Sequence, residues 1–282
     1  MRRALAALFV LAAIASATVS GRALERRTAE RDRADRLLYL PNGKYLKLVS
    51  LGQAPLLADL IYIWAIQFYS DYEREDRFRY VRHVFGEVIV ELDPHYIDAY
   101  WMGALILIVE ARDLDSGLAL LDQGIAANPG NWILPYLAAW ESALAGQPGR
   151  AAQYFERAAH VEGAPSSVRR MRAAMVSRAG DLEGSLALWQ GILDDPQADP
   201  TSVAIARRKI VEVGVQIHLR DLRGALGRFR DDNGRFPRTL AELERRDYIA
   251  EVPRHPSSED YAYDPATGEV AAPTARVLGQ AK

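Results

Sequence analysis

The hydrophobic and polar positions in the middle of the chain follow a pattern that occurs three times. In each copy a small residue is followed four positions later by a large apolar one and three positions after that by another small one, before a helix breaker. Small side chains let two antiparallel helices approach closely, while the large ones fill the space between neighbouring pairs. The pattern therefore predicts stacked helix pairs. The copies lie 34 and then 33 residues apart and align at Gly117, Ala151 and Gly184; Leu121, Phe155 and Leu188; Gly124, Ala158 and Gly191; and Pro129, Gly163 and Pro196.

This spacing resembles that of the tetratricopeptide repeat (TPR), whose small and aromatic positions and terminal proline have a 34-residue period. An earlier, irregular copy consists of residues 56–70 and 79–92 and closes at Asp93 and Pro94, with an unusually long charged connection between its helices. The resemblance covers residues 55–200 and implies a mostly α fold, an α-solenoid of antiparallel helix pairs. A generic helical bundle with accidental spacing is the alternative.

The TPR resemblance also implies a binding surface. In stacked repeats the first helix of each pair lines a concave groove, which such solenoids use for ligands. Aromatic and apolar side chains in a groove favour a helix or an extended peptide as the ligand. Some of these positions are equally compatible with packing in the interior. The groove positions carried over from the family are Met102, Ile106, Glu110, Tyr136, Trp140 and Arg169.

The C-terminal part, residues 201–282, has a different pattern. Residues 204–229 are predicted to form a helix, followed by a turn cluster at residues 231–237. Thr239 and Glu242 have the spacing of a capping box for a short helix. A proline-rich loop and the run Tyr261-Ala262-Tyr263-Asp264-Pro265 then lead to Gly268.

This order of motifs resembles the globular region of the major pseudopilin of type II secretion over residues 219–270. A prepilin cleavage site is missing, so we expect a small α+β pilin-like cap on a repeat protein rather than a fibre subunit. Pseudopilins of this kind hold calcium in the C-terminal loop, and oxygen ligands are available here. We expect these acids to form turns rather than a metal site: Glu259, Asp260, Asp264, Asp231 and Asp232.

The N-terminus has the pattern of an export segment. Two arginines precede an uncharged, alanine-rich stretch from Ala4 to Ser20. It is predicted to be either a cleaved signal peptide or a retained membrane anchor, and both place the rest of the chain in the periplasm of the cell envelope. A buried N-terminal helix of a cytoplasmic protein is the third interpretation. We take residues 1–20 as this segment and residues 21–54 as a spacer. A second apolar stretch, Ala54 to Tyr69, contains an acid and is predicted to be a core helix rather than a membrane span.

The amino-acid composition excludes several kinds of functional site. The 282 residues include no cysteine, which excludes disulfides, thiol nucleophiles and thiolate metal sites. The net charge of -2 provides no positive field for nucleic acid. The five histidines are widely separated, and no catalytic or phosphate-binding motif occurs. We therefore expect no enzyme, no cofactor and no resident metal.

Two functions remain from the sequence. The first is a membrane-associated scaffold that binds envelope proteins in a type IV pilus or type II secretion assembly. The second is a periplasmic peptide- or protein-binding chaperone or an accessory module of an envelope transporter.

Overall fold

The computed structural model describes residues 40–70, 72, 77–256 and 259–273. The chain divides into two compact units, residues 1–128 and 129–282. The predicted export segment and most of the spacer lie outside the described residues. Within the described residues, no helix is both long enough and apolar enough to cross a membrane.

The first unit consists of helices that pack as pairs. A short helix α1 (Gly43–Val49) precedes α2 (Ala54–Tyr69) and α3, which consists of Val81–His83, the π-helical Val84–Ile89 and Val90–Leu92. The second pair is α4 (Ile97–Leu105, continued by the π-helical Ile106–Glu110) and α5 (Leu114–Ala127). The backbone bond from Ala111 N–H to the Ile106 carbonyl, 3.0 Å, spans the five residues of a π turn. The sequence pattern did not predict these wider turns.

The second unit continues with the same kind of helix pair. It contains α6 (Ile133–Leu144) with α7 (Pro148–Ala159), then α8 (Ser166–Arg178) with α9 (Leu182–Leu193). The 34-residue α10 (Pro200–Asn233) follows, and then α11 (Ala241–Arg245) and an antiparallel hairpin of β1 (Ala262–Asp264) and β2 (Glu269–Ala271). The protein is mostly helical, and its helix pairs are TPR-like in length and spacing.

Burial corrects the predicted register of the third repeat. Its interior positions are Ser185, Trp189 and Ile192, each one residue after the predicted Gly184, Leu188 and Gly191. An added Cβ at Gly191 would meet nothing within 4 Å. The predicted alignment was wrong because Gly184 lies one residue before the buried small residue Ser185. Its N–H donates to the Asp181 carboxylate at 2.8 Å, so Gly184 belongs to the cap of α9.

With this correction the three repeats share one period of 34 residues. The first small position, the large position and the third position are then Gly117, Ala151 and Ser185; Leu121, Phe155 and Trp189; and Gly124, Ala158 and Ile192. The helix caps follow the same spacing, since Asp113 accepts from the Ser116 N–H at 3.0 Å as Asp181 does from Gly184. The helix caps and the packing positions therefore have the same 34-residue period.

Helix α10 is longer than predicted at both ends. Asp199 caps its start by accepting from the Ser202 N–H at 2.9 Å, and Gly234 ends it in the left-handed region at φ 68. The side chain of Asn233 donates to the Phe229 carbonyl at 2.9 Å, which keeps the predicted turn residues helical. A helix of this length spans about 51 Å.

Two separate cores share α10. Its first half packs with Trp189 and Ile192 of α9 and Ala173 of α8. Its second half, together with α11 and the hairpin, forms a small core of Leu222, Ala225, Leu226, Phe229, Leu243, Tyr261 and Val270. The C-terminal region thus has the predicted order of helix, turn, short helix and hairpin. A pilin relationship remains a prediction.

The predicted capping box did not form. The Glu242 carboxylate accepts from the Arg238 N–H at 2.8 Å, rather than from the Thr239 N–H, and pairs with Arg235 at 2.8 Å. Pairing with Arg235 and the bond from Arg238 lower the pKa of Glu242 from 4.5 to about 2. The carboxylate therefore holds the turn that precedes α11 instead of closing the α11 N-terminus.

Candidate functional site

Two of the predicted groove residues, Tyr136 and Trp140, lie on α6. This helix starts where Asn131 accepts from the Ile133 and Leu134 N–H groups at 2.9 and 3.1 Å. Its inner side, including Leu134 and Ala138, is fully buried. Because a helix turns once every 3.6 residues, residues spaced by four form a strip on the opposite side. We call Trp132, Ile133, Tyr136, Trp140 and Leu144 the α6 strip.

Aromatic rings form a ladder along this strip. The rings of Trp132 and Tyr136 meet edge to face at 5.8 Å, and those of Tyr136 and Trp140 stack at 6.5 Å with an interplanar angle of 17°. Below them Tyr136 contacts the ring of Phe155 at 5.8 Å, and Phe155 is buried. The ladder is therefore held in place from inside the second unit, and its outer rings need little ordering when a ligand binds.

The exposed fraction of the strip is unusual for such large apolar groups. Trp140 is 44% exposed and Leu144 is 69% exposed. Next to Trp140 in the sequence, burial raises the pKa of the Glu141 carboxyl. Large aromatic rings with a buried support are the residues that most often dominate protein–protein binding.

The other predicted groove residues have different surroundings. In the first unit Met102 is half-buried and Ile106 is only 5% exposed, so Ile106 packs in the interior. Glu110 pairs with Arg77 at 2.9 Å, and Arg77 also donates to the Tyr69 carbonyl at 2.9 Å. This pair fastens α4 to the connection after α2.

Arg169 belongs to an ion pair within the second unit. It donates to Asp195 at 2.6 Å, and Asp195 follows α9. The 34-residue period instead places Arg170 at the position equivalent to Tyr136. Arg170 donates to the Ser202 hydroxyl at 2.5 Å, next to the α10 cap. Sequence reasoning missed Arg170 because the third repeat was aligned one residue too early.

A polar cluster joins the starts of α8 and α10. The Asp199 carboxylate accepts from the hydroxyls of Ser166, at 2.6 Å, and Ser202. These bonds hold the pKa of Asp199 well below its usual value. The cluster is fully engaged in holding the two helices together, so it is structural in character.

Two of the acids that were considered as calcium ligands are hydrogen-bonded within the C-terminal region. Asp264 accepts from the Ala266 N–H and the Thr267 hydroxyl, both at 2.9 Å, and Asp232 accepts from the Tyr248 hydroxyl at 2.8 Å. Among the described residues, no group of three or more His, Cys, Asp or Glu is arranged to hold a metal ion.

The α6 strip was only partly predictable. Tyr136 and Trp140 were predicted from the repeat, while Trp132 was not predicted. The signal for Trp132 is its position four residues before Tyr136, one helical turn away.

Comparisons with known proteins identify no family and show only a weak similarity to helical structures. No protein-family model matches the chain, and no curated protein matches it significantly. Among solved structures, a thermophilic TPR protein of Thermus thermophilus is 18% identical, with 59% of this chain and 88% of that chain covered and a TM-score of 0.34. A chain from the structure of Naa15/Naa10 bound to HypK-THB is 16% identical at a TM-score of 0.35, with 68% of this chain and 28% of that chain covered. At these scores the likeness adds nothing to what the helix pairs themselves establish.

Proposed function

We propose that this protein is a non-enzymatic scaffold that binds another protein through the α6 strip. The observation that carries this proposal is the ladder of Trp132, Tyr136 and Trp140, supported from below by buried Phe155 and open on its outer side. Such a surface suits a helix or extended segment that presents apolar or aromatic side chains at helical or alternate spacing.

The bound segment would gain from contacts that are already ordered. Stacking against Trp140 and covering Leu144 removes apolar area from water at about 25 cal/mol per Å². The ladder is fixed by ring contacts, so the entropy lost on binding is small on this side of the interface. The indole N–H and phenol groups provide polar ends for orientation.

For the setting of this scaffold we propose the cell envelope, with binding to envelope proteins of a type IV pilus or type II secretion assembly. Two features support this proposal: the export pattern of residues 1–20, and the order of helix, turn, short helix and hairpin in the C-terminal region. The N-terminal segment would then either anchor the protein in the inner membrane or be removed after export.

The alternative is a periplasmic chaperone or transporter accessory module that uses the same strip. The exposed apolar character of Leu144 and Ile133, 69% and 41%, favours a binding surface in both cases. The two differ in the range of partners, since a scaffold binds a few defined components and a chaperone binds many.

A crosslinking pull-down from membranes with the tagged full-length protein tests the proposal. Recovery of a few pilus or secretion components, lost in a Trp140→Ala variant, would support the scaffold. Recovery of many unrelated exported proteins would favour the chaperone. The matched control is Gln153→Ala, an exposed position on α7. Equal recovery by wild type and Trp140→Ala would contradict binding at the strip.

A further inference from the structure

The first unit has an apolar surface that the protein-binding function does not use. It consists of large side chains on α1, on the turn after it and on one side of α2, and their exposed fractions run from 55% to 91%. We call it the α1–α2 face. Its members are Tyr45, Leu48, Val49, Leu51, Leu56, Leu60 and Ile63.

Helix α2 is apolar on both sides. Its inner side, with Ala58, Ile61 and Ala65, is buried against the first unit. Its outer side carries Leu56 and Leu60 at a four-residue spacing, 55% and 58% exposed, and one exposed acid, Asp59. A surface helix of a globular protein normally has a polar outer side, and a helix that is apolar all round is normally covered all round. We therefore expect the outer side of α2 to be buried against another molecule.

Helix α1 is held firmly while its outer side stays exposed. An added Cβ at Gly43 would lie 2.7 Å from the Val88 carbonyl oxygen, so α1 is in close contact with α3. Lys47 donates to the Glu91 carbonyl at 3.3 Å, and His83 bonds to the Leu40 carbonyl at 3.0 Å. The exposure of the neighbouring Leu48, at 79%, therefore belongs to the packed structure of α1.

The turn between α1 and α2 presents its most exposed side chain in a strained backbone. Leu51 has φ 52, in the left-handed region that non-glycine residues rarely adopt, and it is 91% exposed. Gly52, at φ 85, completes the turn. A leucine here is unfavourable for the backbone and for solvation alike.

Charge identifies what covers the face. Residues 40–63 contain a single acid, Asp59, whose carboxylate accepts a hydrogen bond from the Tyr96 hydroxyl, although the chain has 37 acidic residues. The same stretch contains Lys44 and Lys47, two of only four lysines. Exposed apolar groups beside lysines, with few acids, are the composition of segments that lie in the interface of anionic membranes. The long lysine stems reach toward headgroups while the leucines enter the acyl boundary.

We propose that the α1–α2 face docks on the surface of an anionic lipid bilayer. Leu51, Leu56 and Leu60 enter the interface, and Lys44 and Lys47 contact phosphate-bearing headgroups. A second copy of this face would bring like charges together, and the uncharged stretch Ala4 to Ser20 would leave both lysines without a partner. Lipid is the occupant that fits the apolar and the charged groups together.

Site-specific labelling of the full-length protein tests this proposal. Because the chain has no cysteine, Leu51→Cys or Leu60→Cys gives a single site for an environment-sensitive fluorophore. The protein is reconstituted in phosphatidylglycerol vesicles that contain brominated lipid, which quenches only fluorophores in contact with acyl chains. Ala126→Cys, exposed on α5, is the matched control.

We expect quenching at positions 51 and 60 and none at position 126. Lys44→Gln should lower the ratio of docked to undocked protein about fivefold, and pure phosphatidylcholine should lower it further. Absence of quenching at positions 51 and 60 overturns the proposal. So does equal quenching at position 126, which indicates general burial. A blue-shifted but unquenched fluorophore overturns it as well, because a protein segment or a second copy then covers the face.

Discussion

Replacing Gly117 with alanine tests the packing of the helix pairs. Gly117 lies in α5 against α4, and an added Cβ would collide with the Ile108 side chain and lie 3.0 Å from the Ala104 carbonyl oxygen. Crowding of this kind in a packed interior lowers stability by about 1–3 kcal/mol. The better helix propensity of alanine returns about 1 kcal/mol. Gly117→Ala should therefore destabilise the protein by about 1 kcal/mol.

Gly191→Ala is the matched control for this substitution. Gly191 was predicted to occupy an interior small position of the third repeat, but its added Cβ would have open space around it. The change should therefore stabilise α9 by up to about 1 kcal/mol through propensity alone. The two variants should differ by about 2 kcal/mol, with opposite signs.

Urea unfolding followed by far-UV circular dichroism measures the two changes. Amide hydrogen exchange then locates each effect in α5 or α9. A larger loss of stability from Gly191→Ala than from Gly117→Ala would refute the 34-residue register and restore the 33-residue alignment of the third repeat.

Three further predictions concern the site, an ion pair and pH. Trp140→Ala should weaken partner binding by about 2 kcal/mol or more in a titration of the isolated partner, with Gln153→Ala unchanged; a loss below tenfold would argue against a central role. Arg169→Ala should lower the free energy of unfolding by no more than about 1 kcal/mol and leave binding intact, because its exposed pair with Asp195 is structural; loss of binding with intact folding would return this arginine to the site. Pairing with Arg235 lowers the pKa of Glu242 to about 2, so its stabilisation is complete above 4.5 and is lost as pH falls toward 2. In the Glu242→Gln variant the urea midpoint should depend less on pH between 4.5 and about 2 than it does in the wild type. An equal dependence on pH in both proteins would contradict the pairing.

The sequence predicted the helix pairs because their signals are local. Small and large apolar positions at helical spacing, together with breakers, depend only on neighbouring residues. The register of the third repeat was missed because Gly184, one residue before the packing position Ser185, also has the small size that the pattern requires. The π turns in α3 and α4 leave no compositional signal, since an extra residue in a helix resembles ordinary helical sequence.

The candidate site was predictable in part for the same reason. Tyr136 and Trp140 followed from the repeat, whereas the ring ladder needed Trp132 and the buried support of Phe155. The pairing of Arg169 with Asp195 joins residues 26 positions apart, and no local pattern indicates which acid an arginine will meet. A residue in the groove can be told from a structural residue only when such long-range partners are known.

The most direct test of the protein-binding account is photo-crosslinking from within the α6 strip. A benzophenone amino acid is placed at Leu144 of the full-length protein in the producing cells, and at Gln153 as the matched control; both are exposed. The account predicts a small set of discrete crosslinked proteins from position 144 that are absent from position 153 and abolished by Trp140→Ala. The same adducts from both positions, or none from position 144, would contradict it.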